Sequence, residues 1–117
     1  MINLLERAKN FEHRMALVSK GRAYSYKALR EASNSVAANL LKGKKDLYGA
    51  RVAFLVPPSF DYTAVQWGIW AAGGVAVPLC ELHPLPSIEY VIEDTQATMV
   101  IAHPDFAEFL APLKTAV

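Results

Sequence analysis

From Arg51 onward the chain alternates short, continuous apolar runs with helical patterns, and no other feature constrains the fold as much. Val52 to Val56 is apolar throughout and is stopped by Pro57-Pro58. A run with no polar alternation marks a strand buried on both faces, as in parallel sheets covered by helices. Ser59 stands where an N-cap belongs. It precedes Phe60, Ala64, Val65, Trp67, Ile69, Trp70 and Ala71, a segment apolar nearly all round and therefore a buried helix. Gly73-Gly74 breaks that helix before a second run, Val75 to Leu79. Pro86 and Ser87 open the next helical pattern, with Ile88, Val91 and Ile92 on one stripe and Glu89, Glu93 and Asp94 toward solvent. A third run, Thr98 to Ala102, leads to His103-Pro104. Asp105 then begins a last pattern through Phe106, Phe109, Leu110 and Leu113, interrupted at Pro112. Strand and helix alternate with short connections and no hairpin signal, which predicts parallel strands joined by right-handed crossovers. The fold class is α/β.

Residues 1–50 read differently. Asn3 to Asn10 can form a short lead-in helix with Leu4, Leu5 and Ala8 on one side and Asn3 as its cap. Met15 to Ser19 and Arg22 to Ser25, separated by Lys20-Gly21, form a hairpin pattern whose glycine can take positive φ. Ser25 then caps a helix carrying Tyr26, Leu29, Ala32, Val36 and Leu40 at spacings of three and four, ending near Lys42-Gly43. Gly43 suits the position just past that helix, and Lys42, Lys44 and Lys45 set positive charge beside the negative end of its dipole. A solvated helix end outweighs a phosphate site for these lysines.

The hydrophobic fraction of 53% against 20% charged residues predicts extensive burial. A net charge of +1 offers no broad attraction to nucleic acid or an anionic membrane. Tyr62 to Cys80 contains no charge and is long enough to raise the question of a membrane span. Gly73-Gly74, Pro78 and the acidic flanks Asp61 and Glu81 favour a buried helix, a turn and a buried strand instead. Cys80 is the sole cysteine, which suits a reducing compartment, the cytoplasm by default. Glu6, Arg7 and Lys9 leave no room for a signal-peptide core. No repeat or linker divides the chain. Three parallel strands plus a hairpin would leave sheet edges and apolar faces uncovered, so part of a larger sheet domain is expected.

Ligands of open parallel sheets collect outside the carboxyl ends of the strands, here Pro57-Pro58-Ser59, Cys80-Glu81-Leu82-His83 and His103-Pro104. Cys80 and His83 have a ligand-like spacing and His103 could be a third donor, but nothing fixes a fourth. Turn-shaping by His83 and His103, each followed by proline, outweighs a zinc site. Ser59 could offer backbone N–H groups to a phosphate, yet Pro57-Pro58 is not a glycine-rich approach and ordinary capping explains it better. Gly73-Gly74 ends a helix where a phosphate loop would begin one. Trp67 and Trp70 could line an acyl pocket, but aromatics in a buried helix are usually core. No catalytic constellation emerges.

The wording of the sequence carries a further signal. Tyr24-Ser25-Tyr26 with Leu29, then Arg51-Val52-Ala53-Phe54-Leu55, then Trp67 through Leu79 with its Gly73-Gly74 turn and Pro78-Leu79 ending, then Glu89 to Thr95 with Met99-Val100-Ile101, stand in collinear order. This succession resembles the opening of the AMP-forming acyl-CoA synthetases of the adenylate-forming superfamily. Gln66-Trp67, Gly74 to Leu79, His83-Pro84 and Glu89-Tyr90-Val91 are similar to the malonyl-activating branch, while Pro58-Ser59 and Asp61 stand where many relatives have Asn and Glu. The resemblance implies residues 1–117 are an incomplete N-terminal portion of an AMP-binding domain. Residues 1–50 are then the lead-in helix, hairpin and long helix, and residues 51–117 the parallel βα units.

It implies for the full-length parent a two-step ligation, a place in fatty acid metabolism, and ATP, Mg²⁺ and coenzyme A. The acid is activated as acyl-AMP and passed to the thiol. The partners implied are a small carboxylate and the remainder of the same synthetase chain. In the family the catalytic and nucleotide-binding parts lie in a Ser/Thr/Gly-rich loop ending in Lys and in later segments. No catalytic, cofactor-binding or metal residue is therefore expected in Met1 to Val117. Two other readings stay open: the adenylation domain of a peptide-assembly enzyme, and a free-standing, non-catalytic α/β remnant acting as an interaction module.

Overall fold

A computed structural model describes residues 3–112. Leu113, expected to extend the last helix, falls outside the described residues, as does the side chain of Asn3, expected to cap the first. Helix α1 (Asn3–Ala8) runs into a 3-10 turn, Lys9–Phe11. Strands β1 (Met15–Ser19) and β2 (Arg22–Ser25) pair antiparallel, with a bulge between Met15 and Leu17. Lys20 and Gly21 both take positive φ, 52° and 77°, as the tight turn matching the right-handed strand twist requires. Helix α2 (Tyr26–Leu41) starts where Ser25 Oγ accepts the Ala28 N–H at 3.1 Å. It ends with both Lys42 and Gly43 left-handed, and the Lys42 N–H closes the last turn on the Ala38 carbonyl. Sequence pattern assigned that conformation to glycine alone.

Beyond the hairpin come β3 (Arg51–Leu55), α3 (Phe60–Ala71), β4 (Val75–Pro78), α4 (Leu85–Asp94), β5 (Met99–Ala102), a 3-10 turn Pro104–Phe106 and α5 (Ala107–Leu110). The three strands form one sheet in the order β4-β3-β5, and both pairings are parallel, as expected. Val56, Leu79 and Thr98 lie just outside the ladders. Helix α4 begins at Leu85, one residue before Pro86, whose missing N–H costs nothing in a first turn.

Side chains of β3 alternate between two cores. Val52, Phe54 and Val56 pack against Val65 and Ile69 of α3, with Val36 and Leu40 of α2 behind them. Ala53 and Leu55 face the other way, into Ile88 and Ile92 of α4 and Leu110 of α5. Burying a side chain such as Phe54 or Leu55 contributes about 1.5–3 kcal/mol. A third cluster joins Leu5 and Ala8 of α1 to Leu29, Ala64 and Trp67. Helix α3 ends in a Schellman arrangement: the Gly74 N–H reaches the Ile69 carbonyl at 2.9 Å and the Gly73 N–H reaches that of Trp70 at 3.0 Å, with Gly73 at φ 86°. The same corner is clipped to the loop before β3, since the Leu47 and Gly49 N–H groups donate to the Ala72 and Gly73 carbonyls.

Candidate functional site

Strand order β4-β3-β5 creates a switch point. Helix α3 leaves β3 over one face of the sheet toward β4, whereas α5 leaves the neighbouring β5 over the other face. The carboxyl ends of β3 and β5 therefore diverge, leaving the crevice in which open α/β sheets hold ligands. A cavity of about 230 Å³ lies there, walled by Val56, Ala64, Val65, Ile101 and Pro104 and flanked by Ala32 and Val36 of α2. Asp61 and His103 are the ionisable residues on its wall. The volume is below the roughly 300–1,000 Å³ usual for a complete small-molecule pocket.

His103 is half-buried, and its Nδ1 accepts the Asp105 N–H at 3.1 Å, capping the 3-10 turn. In the neutral ring that bond puts the proton on Nε2. Asp61 is exposed in the first turn of α3, where its charge complements the helix dipole. Ser59 Oγ donates to the Pro57 carbonyl at 2.8 Å and accepts the Tyr62 N–H at 3.3 Å. It is an N-cap, the role its position suggested. Cys80, Glu81 and His83 are exposed at the end of β4, where the His83 N–H closes a turn on the Cys80 carbonyl at 3.1 Å. Among the described residues no three His, Cys, Asp or Glu side chains gather into a metal-holding group.

At the carboxyl end of the sheet the start of α3 is taken by Ser59, that of α4 carries Pro86 and no side-chain cap, and the turn before α5 is capped by His103 and opens on Pro104. Trp67 is buried against Leu29 and Ala64 and Trp70 packs beside it, so both are core. Sequence reasoning passed over the close contact between α2 and α3. Ser33 and Ala37 are buried on α2, and Gly68 of α3 lies against Ser33 and Val36. No periodicity in either helix pairs Gly68 with Ser33 or Val36.

A twisted parallel sheet with helices on both faces and a crevice at its switch point is the build of a doubly wound, ligand-binding α/β domain. Residues 4–116 match the family described as AMP-binding enzyme, and the chain belongs to that family. The mitochondrial malonate-CoA ligase ACSF3 of Mus musculus is 38% identical over 111 residues, covering 92% of this chain and 19% of that protein. Its counterpart in Xenopus laevis is 31% identical over 117 residues, covering 97% of this chain and 20% of that protein. The crystal structure of the anthranilate CoA ligase AuaEII in complex with anthranoyl-AMP matches with a TM-score of 0.82 at 26% identity, over 96% of this chain and 22% of that one. The chain thus spans about a fifth of the length of these relatives. The α/β class and the likeness to adenylate-forming CoA ligases agree with the sequence reading.

Proposed function

We propose that this chain is the N-terminal part of a carboxylate-CoA ligase, which activates an acid with ATP as acyl-AMP and transfers it to coenzyme A. The observation that carries the reading is the coverage: nearly all of this chain aligns with malonate-CoA ligases, and it accounts for about a fifth of them. The segment's own contribution is structural, a first sheet layer against which the catalytic parts pack. Those parts, with Mg²⁺ and the sites for ATP and coenzyme A, belong to the remainder of the parent polypeptide. The substrate proposed is a small dicarboxylate such as malonate, supported by the names of the two vertebrate ligases and by the Gln66-Trp67 and His83-Pro84 wording. For location we keep the cytoplasm, on the single free thiol Cys80. The mitochondrial label belongs to the vertebrate ligases. No helix of the described residues is long and apolar enough to cross a membrane.

Two measurements test the proposal. Coding sequence read beyond Val117 is expected to continue into a Ser/Thr/Gly-rich loop with a lysine; a stop codon there favours the free-standing remnant. Thioester formation by the parent is then expected with malonate in preference to long-chain acids, and a better rate with palmitate overturns the substrate assignment.

A further inference from the structure

We propose that copies of this protein associate head to tail, the solvent face of α4 on one copy seating in the groove between α1 and α2 of the next.

Charge supplies the direction. Residues 1–51 hold eleven of the twelve Lys and Arg residues and four of the eleven Asp and Glu residues. Residues 52–112 hold the other seven acids and no Lys or Arg. Folding converts that division along the chain into a division across the sheet. Helix α2 lies over the Val52 and Phe54 face behind α3, and α1 joins the same layer through Leu5, Ala8 and Leu29. Helices α4 and α5 cover the opposite face, that of Ala53 and Leu55. Basic residues thus dominate one layer and acidic residues the other, an arrangement that steers two copies together with unlike faces opposed.

The basic layer carries the receptor. A cavity of about 390 Å³ opens between α1 and α2, walled by Leu4, Ala8, Phe11, Tyr26 and Arg7. Leu4 and Phe11 are exposed there, and the Arg14 guanidinium stands 5.3 Å from the Phe11 ring centroid. The two acids of this corner are engaged elsewhere, Glu6 by Lys9 at 3.2 Å and Glu12 by Arg30. Arg7 and Arg14 therefore have no ion-pair partner among the described residues. Apolar walls flanked by two free guanidinium groups fit an occupant that presents an aromatic anchor beside carboxylates.

Helix α4 presents that combination. Ile88 and Ile92 are buried in the core, which leaves Tyr90, Glu93 and Asp94 exposed on the other side. The Tyr90 side chain, a large apolar group, is 67% exposed. Glu93 and Asp94 stand three and four residues after it, the spacings that make helical residues neighbours on the surface. Neither carboxylate has an ion-pair partner among the described residues. A helix that lays an anchor residue into an apolar groove is a recurring mode of protein recognition. The groove and α4 belong to opposite layers, so the contact joins unlike patches and adds copies in sequence without closing a two-fold dimer.

Sedimentation velocity on the full-length polypeptide, with neither ATP nor acid present, tests the contact independently of the ligase reading. At low salt the mean mass is expected to rise with concentration past that of a dimer. At about 1 M salt, where the screening length falls to about 3 Å, it is expected to return to that of the monomer. Tyr90→Ala, and separately Glu93→Lys with Asp94→Lys, are each expected to weaken association on the order of 10-fold or more. Arg7→Glu with Arg14→Glu is expected to do the same, and the four reversals combined in one chain are expected to restore it. All five side chains are exposed, so the substitutions leave the packed core untouched. A constant monomer mass at low salt, growth that stops at the dimer, or association indifferent to Tyr90→Ala and to the charge reversals overturns the proposal. A groove filled by a later segment of the same polypeptide would give the first of these results.

Discussion

The Tyr24-Ser25-Tyr26 step, wording typical of an enzyme family, is engaged in packing and capping. Tyr24 stacks on Phe60, ring centroids 4.0 Å apart and planes 17° apart, with the Arg22 guanidinium 5.1 Å from its centroid. Ser25 caps α2, and Tyr26 sits 6.3 Å from Trp67, centroid to centroid. Tyr24 ties the hairpin and Tyr26 ties α2 to α3, while Ser25 closes the first turn of α2. Gly68 has a similar role. A Cβ there would lie 2.5 Å from the Val36 Cβ and 2.9 Å from the Ser33 carbonyl oxygen, closer than packed atoms tolerate. Gly68→Ala is therefore expected to destabilise the chain by about 1–3 kcal/mol, read as a lowered urea midpoint. An unchanged midpoint would mean that α2 and α3 can separate without loss. This site was not legible in the sequence. A lone glycine in an apolar helix reads as a propensity cost, and Ser33 and Val36 are too distant in the chain for any periodicity to expose.

At the scale of elements, helix starts were legible because capping is local chemistry. Ser25 and Ser59 each accept the N–H three residues on, at 3.1 and 3.3 Å. Ser25→Ala and Ser59→Ala are each expected to cost about 0.5–2 kcal/mol in thermal or urea unfolding. If neither midpoint moves, water serves the Ala28 and Tyr62 N–H groups equally well. Strand ends were less legible, for a physical reason. Apolar runs report burial, and Val56 and Leu79 are buried without belonging to the ladder. The strand order was not legible at all: alternation of strand and helix fixes parallel direction, but β5 lies beside β3 because α4 covers the opposite face from α3. The crevice follows from that order, so it too was hidden, although His103 had been placed at the correct end of the sheet.

Over the whole molecule, burial and function separate. The two faces of β3 and the α1-α2-α3 corner absorb most of the apolar side chains, while the crevice between β3 and β5 is walled mainly by apolar groups. Nucleotide affinity needs several backbone or cationic donors converging on the phosphates, and helix starts at the carboxyl end of a sheet are where such donors come from. Here each start is already engaged or altered: Ser59 takes the Tyr62 N–H, His103 takes the Asp105 N–H, and Pro86 and Pro104 have no N–H to offer. The Lys42, Lys44 and Lys45 group lies at the carboxyl end of α2, where the dipole favours its positive charge and not a phosphate. Residues 1–117 alone are therefore expected to bind Mg-ATP no more tightly than about 1 mM, the level at which binding free energy is only about 4 kcal/mol. They are likewise expected to release no pyrophosphate in the presence of malonate, since stabilising charge at the α-phosphate takes preorganised donors that these helix starts do not supply. Titration calorimetry and a pyrophosphate assay on the purified chain measure both. A saturable heat at micromolar ATP would place a nucleotide site within this segment, at the His103 and Asp61 crevice, and would overturn the structural role proposed for it.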